Sequence, residues 1–285
     1  SQPGTDPNLP RFDAEWFSDP GYLVELGNLP DGSSEVCLTD LEGDGVMEIL
    51  YASSYTNLLY AYDGHLQTKP GFPKLIPGGI SSAYGHLAAG DVNQDGLEEI
   101  FITTANGVQA LDHAGNFLPG WPFQTGYNQP RYVSLAPVSG HSFLDVVVSG
   151  TGTVFVLRAD GSVRPGFPLY FDSGLGSVTG PVALGDADAD GEVELVVATN
   201  YSVFTLSPGG QLESFIWQDN NMQLTSPVSL ADLDLDGDLE IVFTTGAQLN
   251  VLNHDGSNFS SAWPWTEPGG KDLGKVALAN NWGTF

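Results

Sequence analysis

Carboxylates recur at alternate positions around a glycine in four stretches of the chain. These are Asp40-Leu-Glu42-Gly-Asp44-Gly45-Val46-Met-Glu48 and Asp91-Val-Asn93-Gln-Asp95-Gly96-Leu97-Glu-Glu99, then Asp186-Ala-Asp188-Ala-Asp190-Gly191-Glu192-Val-Glu194 and Asp232-Leu-Asp234-Leu-Asp236-Gly237-Asp238-Leu-Glu240. Oxygen donors at positions 1, 3 and 5 turn successive side chains toward one point, and a glycine at position 6 permits the positive φ of a tight turn. The backbone carbonyl of position 7 (Val46, Leu97, Glu192, Asp238) and the carboxylate of position 9 would complete an all-oxygen cage for a hard cation. Ca²⁺ takes 6–8 such oxygens at roughly 2.3–2.6 Å in flexible geometry, whereas Mg²⁺ demands an octahedron and keeps its waters. The spacing therefore predicts about four calcium ions, one per intact loop. An EF-hand would need Glu at position 12 between two helices; here that position holds Tyr51, Ile102, Val197 and Phe243, inside apolar runs.

The elements that must carry these loops repeat with them. The loops start 51, 95 and 46 residues apart, and the double gap holds a degenerate copy at 137–145 that keeps the apolar frame but offers only Ser139, His141 and Asp145. No ion is expected there. A further start, Val276-Ala-Leu-Ala-Asn280, matches Val228-Ser-Leu-Ala-Asp232. After each loop come an apolar run such as Ile100-Phe-Ile-Thr-Thr, a short alternating segment such as Val203-Phe-Thr-Leu, and a glycine turn such as Asp160-Gly161. A Gly-aromatic-Pro corner follows at Gly71-Phe72-Pro73, Gly120-Trp121-Pro122 and Gly166-Phe167-Pro168, and Ala262-Trp263-Pro264 takes its place in the last repeat. The corner is absent from the repeat beginning near 182, where Gln211–Trp217 stands in its place.

Short apolar or alternating runs between Gly, Asp and Pro turns are strands, and four of them every 40–50 residues are the mark of a propeller blade. The expectation is an all-β chain: a β-propeller of four-stranded antiparallel blades, with five full repeats and a sixth shared between the termini. Residues 1–19 read as an N-terminal extension and 20–285 as the propeller, with repeats starting near 36, 87, 133, 182, 228 and 276.

The charge balance narrows the partners. The 285 residues include 35 Asp and Glu against 8 Lys and Arg, for a net charge of −27, although only 15% of residues are charged. A field of that sign repels nucleic acid and anionic lipid. No apolar run approaches the 20 residues of a membrane span, so no membrane insertion is expected. The N-terminus has neither a basic start nor an apolar stretch, so that any signal peptide has been removed or was never there. Cys37 has no second cysteine to pair with and reads as a small inner-strand residue.

The loop, the strand order and the aromatic-proline corner together closely resemble the FG-GAP (VCBS-type) repeats of calcium-binding β-propellers, over about residues 20–285. The resemblance implies an extracellular or cell-surface setting and a partner that is a protein, a glycan or another copy of the chain. Two activities are weighed against a non-catalytic surface or assembly module: lectin-like sugar binding and polysaccharide cleavage. Tyr55, Tyr84, Tyr127, Tyr132 and Tyr201 are the candidate stacking platforms for a sugar. No nucleophile elbow, HExxH or phosphate loop is present. His65, His113 and His254 repeat beside glycine turns, as turn chemistry does. The chain is read as not an enzyme.

Overall fold

A computed structural model describes residues 34–81, 86–126, 130–138, 143–171, 176–219 and 221–274. Among them there is no helix. Twenty strands form five four-stranded antiparallel sheets, each in simple up-and-down order. Blade 1 uses Ser34–Thr39, Glu48–Ser53, Leu58–Tyr62 and Lys74–Leu75, and blade 2 uses Leu87–Gly90, Glu99–Thr103, Gly107–Leu111 and Phe123–Gln124. Blade 3 uses Pro130–Ala136, Asp145–Gly150, Thr153–Leu157 and Leu169–Tyr170, and blade 4 uses Ala183–Gly185, Glu194–Ala198, Ser202–Leu206 and Leu212–Gln218. Blade 5 uses Ser229–Ala231, Glu240–Thr245, Gln248–Leu252 and Trp265–Thr266. The shared sixth blade and the extension at 1–19 lie outside the described residues.

Period-two alternation explains why the second strands are buried at almost every position. On a strand, neighbouring side chains point to opposite faces, and here both faces are covered. Ile100 and Ile102 pack into the core shared with blade 1, while Phe101 packs into the core shared with blade 3. Leu195 and Val197 likewise face blade 3, and Val196 and Ala198 face blade 5. Four cores thus join five blades in sequence. The outer face of blade 1 leaves Val36 and Leu38 more than half exposed (57% and 60%), although Cys37 between them is half-buried against the first core.

The turns and corners, read from the sequence as punctuation, mate across blades. A Cβ added at Gly71 would strike the carbonyl of Ala114, at Gly120 that of Asp160 and at Gly166 that of Gly209. Each corner of one blade therefore presses on the glycine turn of the next. The Trp121 indole Nε1 donates to the carbonyl of Ala159 at 3.0 Å. In blade 4, which has no corner, the backbone of Ile216 meets Gly256 instead. Phe72 and Trp121 are buried, whereas Phe167 and Trp263 are half-buried, the latter in the last described blade. The Xaa-Pro bonds at all four corners are cis.

Candidate metal centre

Each acidic loop is the connection of one hairpin. Glu48, Glu99, Glu194 and Glu240 are the first residues of their strands, and each pairs with the residue just before position 1 (Thr39, Gly90, Gly185 and Ala231). The ladder thereby brings position 9 back beside position 1 with about one turn of chain between them.

Three hydrogen bonds recur in all four loops. The position 1 carboxylate accepts from the N–H of Gly45, Gly96, Gly191 and Gly237 at 2.7, 2.9, 2.9 and 3.3 Å. The position 5 carboxylates, Asp44, Asp95, Asp190 and Asp236, accept from the N–H of position 7 at 2.8–3.0 Å. One oxygen of each position 9 glutamate accepts from the N–H of position 2 at 2.6–3.1 Å. The glycine at position 6 has φ between 85° and 106°, as its type requires. Position 4 is left-handed as well, at Gly43, Gln94, Ala189 and Leu235, with φ of 56–65°. The sequence reading missed that second turn, because three of the four residues there are not glycine.

The further partners of the position 9 glutamate distinguish the blades. In blades 4 and 5 it belongs to a cluster: Asp186, Asp188 and Glu194 bring ligand oxygens within 4.8 Å of one another, as do Asp232, Asp234 and Glu240. Asp186 Oδ1 is buried with no hydrogen-bond partner. In blade 2, Glu99 accepts from the Asn93 amide at 2.8 Å. In blade 1, the Lys69 ammonium bridges Glu42 at 2.5 Å and Glu48 at 3.2 Å. In blade 3, which lacks the acids, Arg164 holds the buried Asp145, with Nη2–Oδ1 at 2.7 Å. Lys69 and Arg164 went unnoticed in the sequence, although both stand directly before a Pro-Gly-Phe-Pro corner.

The electrostatics separate these loops from ordinary Asp-Gly turns. The turn aspartates Asp63, Asp160 and Asp255 are held below the usual carboxylate range, by the N–H of Gln67 and by Ser162 and Ser257 respectively. Glu99, Glu194 and Glu240 move the other way. Burial, reinforced by the loop aspartates, pushes Glu99 and Glu194 up to about 7, against the opposing pull of their backbone N–H partners. Burial also raises Glu240, Glu98 and Glu213, each beside further acids. Crowded carboxylates that resist ionisation lack a counter-charge. All-oxygen donors, one of them orphaned and buried, fit a hard cation such as Ca²⁺.

Neighbouring loops are tied together by the backbone, Glu98 N–H to Leu41 O at 3.2 Å and Leu239 N–H to Ala187 O at 3.0 Å. His254, on the turn of blade 5, lies 2.9 Å from Asp238 through Nδ1, close enough for an ion pair but misaligned for a hydrogen bond. Of the tyrosines, Tyr132 donates to Thr179 O at 2.9 Å and packs edge-on against His86. Tyr201 accepts from Gln223, and Tyr55 is 68% exposed. Tyr84, Tyr127, Ser139 and His141 lie outside the described residues.

Residues 40–102, which run from the loop of blade 1 through its last three strands to the loop of blade 2 and most of the strand after it, match the FG-GAP-like repeat family. No curated protein matches the chain. Among solved structures, the V. cholerae biofilm matrix protein Bap1 is similar at 22% identity and a TM-score of 0.59, over 87% of this chain and 41% of that one. The chain thus spans about two fifths of Bap1. A catalytically inactive virginiamycin B lyase from Staphylococcus aureus is similar at 14% identity and a TM-score of 0.56, over 85% of this chain and 72% of that one. An Agrocybe aegerita lectin that recognises non-reducing terminal N-acetylglucosamine is similar at 18% identity and a TM-score of 0.52, over 80% and 65%. The matched segment is FG-GAP-like, and the later blades repeat its loop, strand and turn plan in a propeller-like array of four-stranded sheets.

Proposed function

We propose that the chain is a calcium-stabilised, non-catalytic propeller module of an extracellular or cell-surface protein, serving adhesion or assembly. Its ligands come from positions 1, 3, 5, 7 and 9 of the acidic loops, led by Asp186, Asp188 and Glu194 in blade 4 and Asp232, Asp234 and Glu240 in blade 5. The observation that carries the calcium reading is the pair of three-carboxylate clusters in blades 4 and 5, with Asp186 Oδ1 orphaned. Carboxylates that repel one another in the folded chain make calcium binding a source of folding free energy, about 2.7 kcal/mol per site at a hundredfold excess over Kd. Melting in calcium should therefore exceed melting in a chelator by many degrees, and identical curves would sink the reading. Size measured in the same calcium sample tests assembly: large particles support it.

Lectin-like recognition is the second reading, favoured by the exposed ring of Tyr55 at a hairpin tip of blade 1. Binding on a glycan array that Tyr55→Ala abolishes supports it. Turnover of a neutral polysaccharide would overturn the non-catalytic reading.

A further inference from the structure

One position in each blade follows the glycine turn in a common register, and in blades 1, 3 and 4 its side chain lies beside that blade's own loop. The turn is closed in every blade by the same backbone bond, from Asp63 to Gln67, Asp112 to Asn116, Arg158 to Ser162, Ser207 to Gln211 and Asn253 to Ser257. Two residues beyond the accepting carbonyl stand Lys69, Leu118, Arg164, Glu213 and Phe259. The shared register continues: Lys69, Leu118, Arg164 and Phe259 donate their N–H to equivalent carbonyls of the third strand, Ala61, Ala110, Val156 and Val251. Within this one register the side chain is a cation in blades 1 and 3, apolar in blades 2 and 5, and an anion in blade 4.

The cations occupy the position 9 carboxylates directly. Lys69 bridges Glu42 and Glu48, and Glu48 is only 2% exposed, while Arg164 holds Asp145, which is 1% exposed. In blade 4 the equivalent Glu213 lines the same cleft as Asp188 and Glu194, together with His254 and Asp255 of blade 5.

We propose that this position sets whether each loop takes a divalent ion: Lys69 is a resident cation that keeps the blade 1 loop free of calcium, and Glu213 adds a carboxylate that strengthens the blade 4 site. The inference rests on the calcium reading and sharpens it, because the four loops that look alike in sequence are then unequal. An ammonium between two carboxylates supplies the charge that a cation would supply, and the ion cannot enter until the ammonium leaves. A carboxylate at the same place adds to the ligand charge that sets calcium affinity.

The test is the number of calcium ions retained by the full chain after dialysis, measured for the wild type, Lys69→Leu and Glu213→Lys. Lys69→Leu should hold one ion more than the wild type and Glu213→Lys one fewer. Lys69→Leu should also melt lower than the wild type in chelator, where Glu48 is left without its ammonium, and recover in calcium. That second readout keeps the test decisive if Glu213→Lys does not fold. Counts unchanged from a calcium-loaded wild type would overturn this inference alone. A wild type that binds no calcium would overturn the calcium reading with it.

Discussion

Leu235 sits at position 4 of the blade 5 loop with φ of 65° and is 86% exposed. A β-carbon in the left-handed region crowds the following carbonyl and costs roughly 1–2 kcal/mol, which Asn offsets in part by local hydrogen bonding. Since Leu235 contributes almost no burial, Leu235→Asn should stabilise the protein by about 0.5–1 kcal/mol in urea unfolding; a loss of stability would refute the left-handed assignment. The same position shows how far the residue scale could be read. Position 6 was legible because glycine fills it every time, and position 4 was not, because Gly43 is replaced by Gln94, Ala189 and Leu235 elsewhere. The residues facing the loops from outside were hidden for another reason. Lys69 is 21 residues from Glu48, and spacing across a turn and two strands does not reveal which way a side chain points.

At the scale of elements, the strands were legible because each is short, apolar and bounded by turn residues, and the loops because four copies agree. The partnership of the corner with the turn of the next blade was not legible. The two lie far apart in sequence, as with Trp121 and Ala159, 38 residues apart, and neither carries a complementary pattern. That contact gives a graded expectation. Trp121 is 8% exposed, donates to Ala159 and packs edge-on against Phe101 at 5.2 Å. Trp121→Phe removes the hydrogen bond and part of the ring, and should cost about 1–2 kcal/mol; Trp121→Ala should cost about 3–5 kcal/mol. Trp263 is only half-buried, so Trp263→Ala should cost distinctly less. Equal costs at the two sites would mean that burial of the corner ring does not set its contribution. Chemical unfolding of the three variants decides it.

Over the whole molecule, the net charge of −27 is in large part a count of loop carboxylates. Its effect on stability depends on pH in a direction set by the glutamates. Without metal, burial and neighbouring acids hold Glu99 and Glu194 at about 7, against an ordinary value of 4.5. Between those values the folded chain keeps protons that the unfolded chain has released, so the stability these two glutamates contribute is fully present below about pH 4.5 and is lost as pH rises through 7. The turn aspartates act only at lower pH, because they are already ionised throughout this window in both states. Calcium reverses the trend. Ligand carboxylates must shed their protons to bind a cation, so affinity falls with acid and uptake releases protons. The gap in melting temperature between calcium and chelator should therefore be wide near pH 7.5 and narrow near pH 5, with the chelator curve itself higher at about pH 5. Melting at both pH values, with and without calcium, measures it. A chelator-treated protein that grows more stable as pH rises through this window would show that the glutamates ionise freely in the fold, and the loops would then be solvated turns.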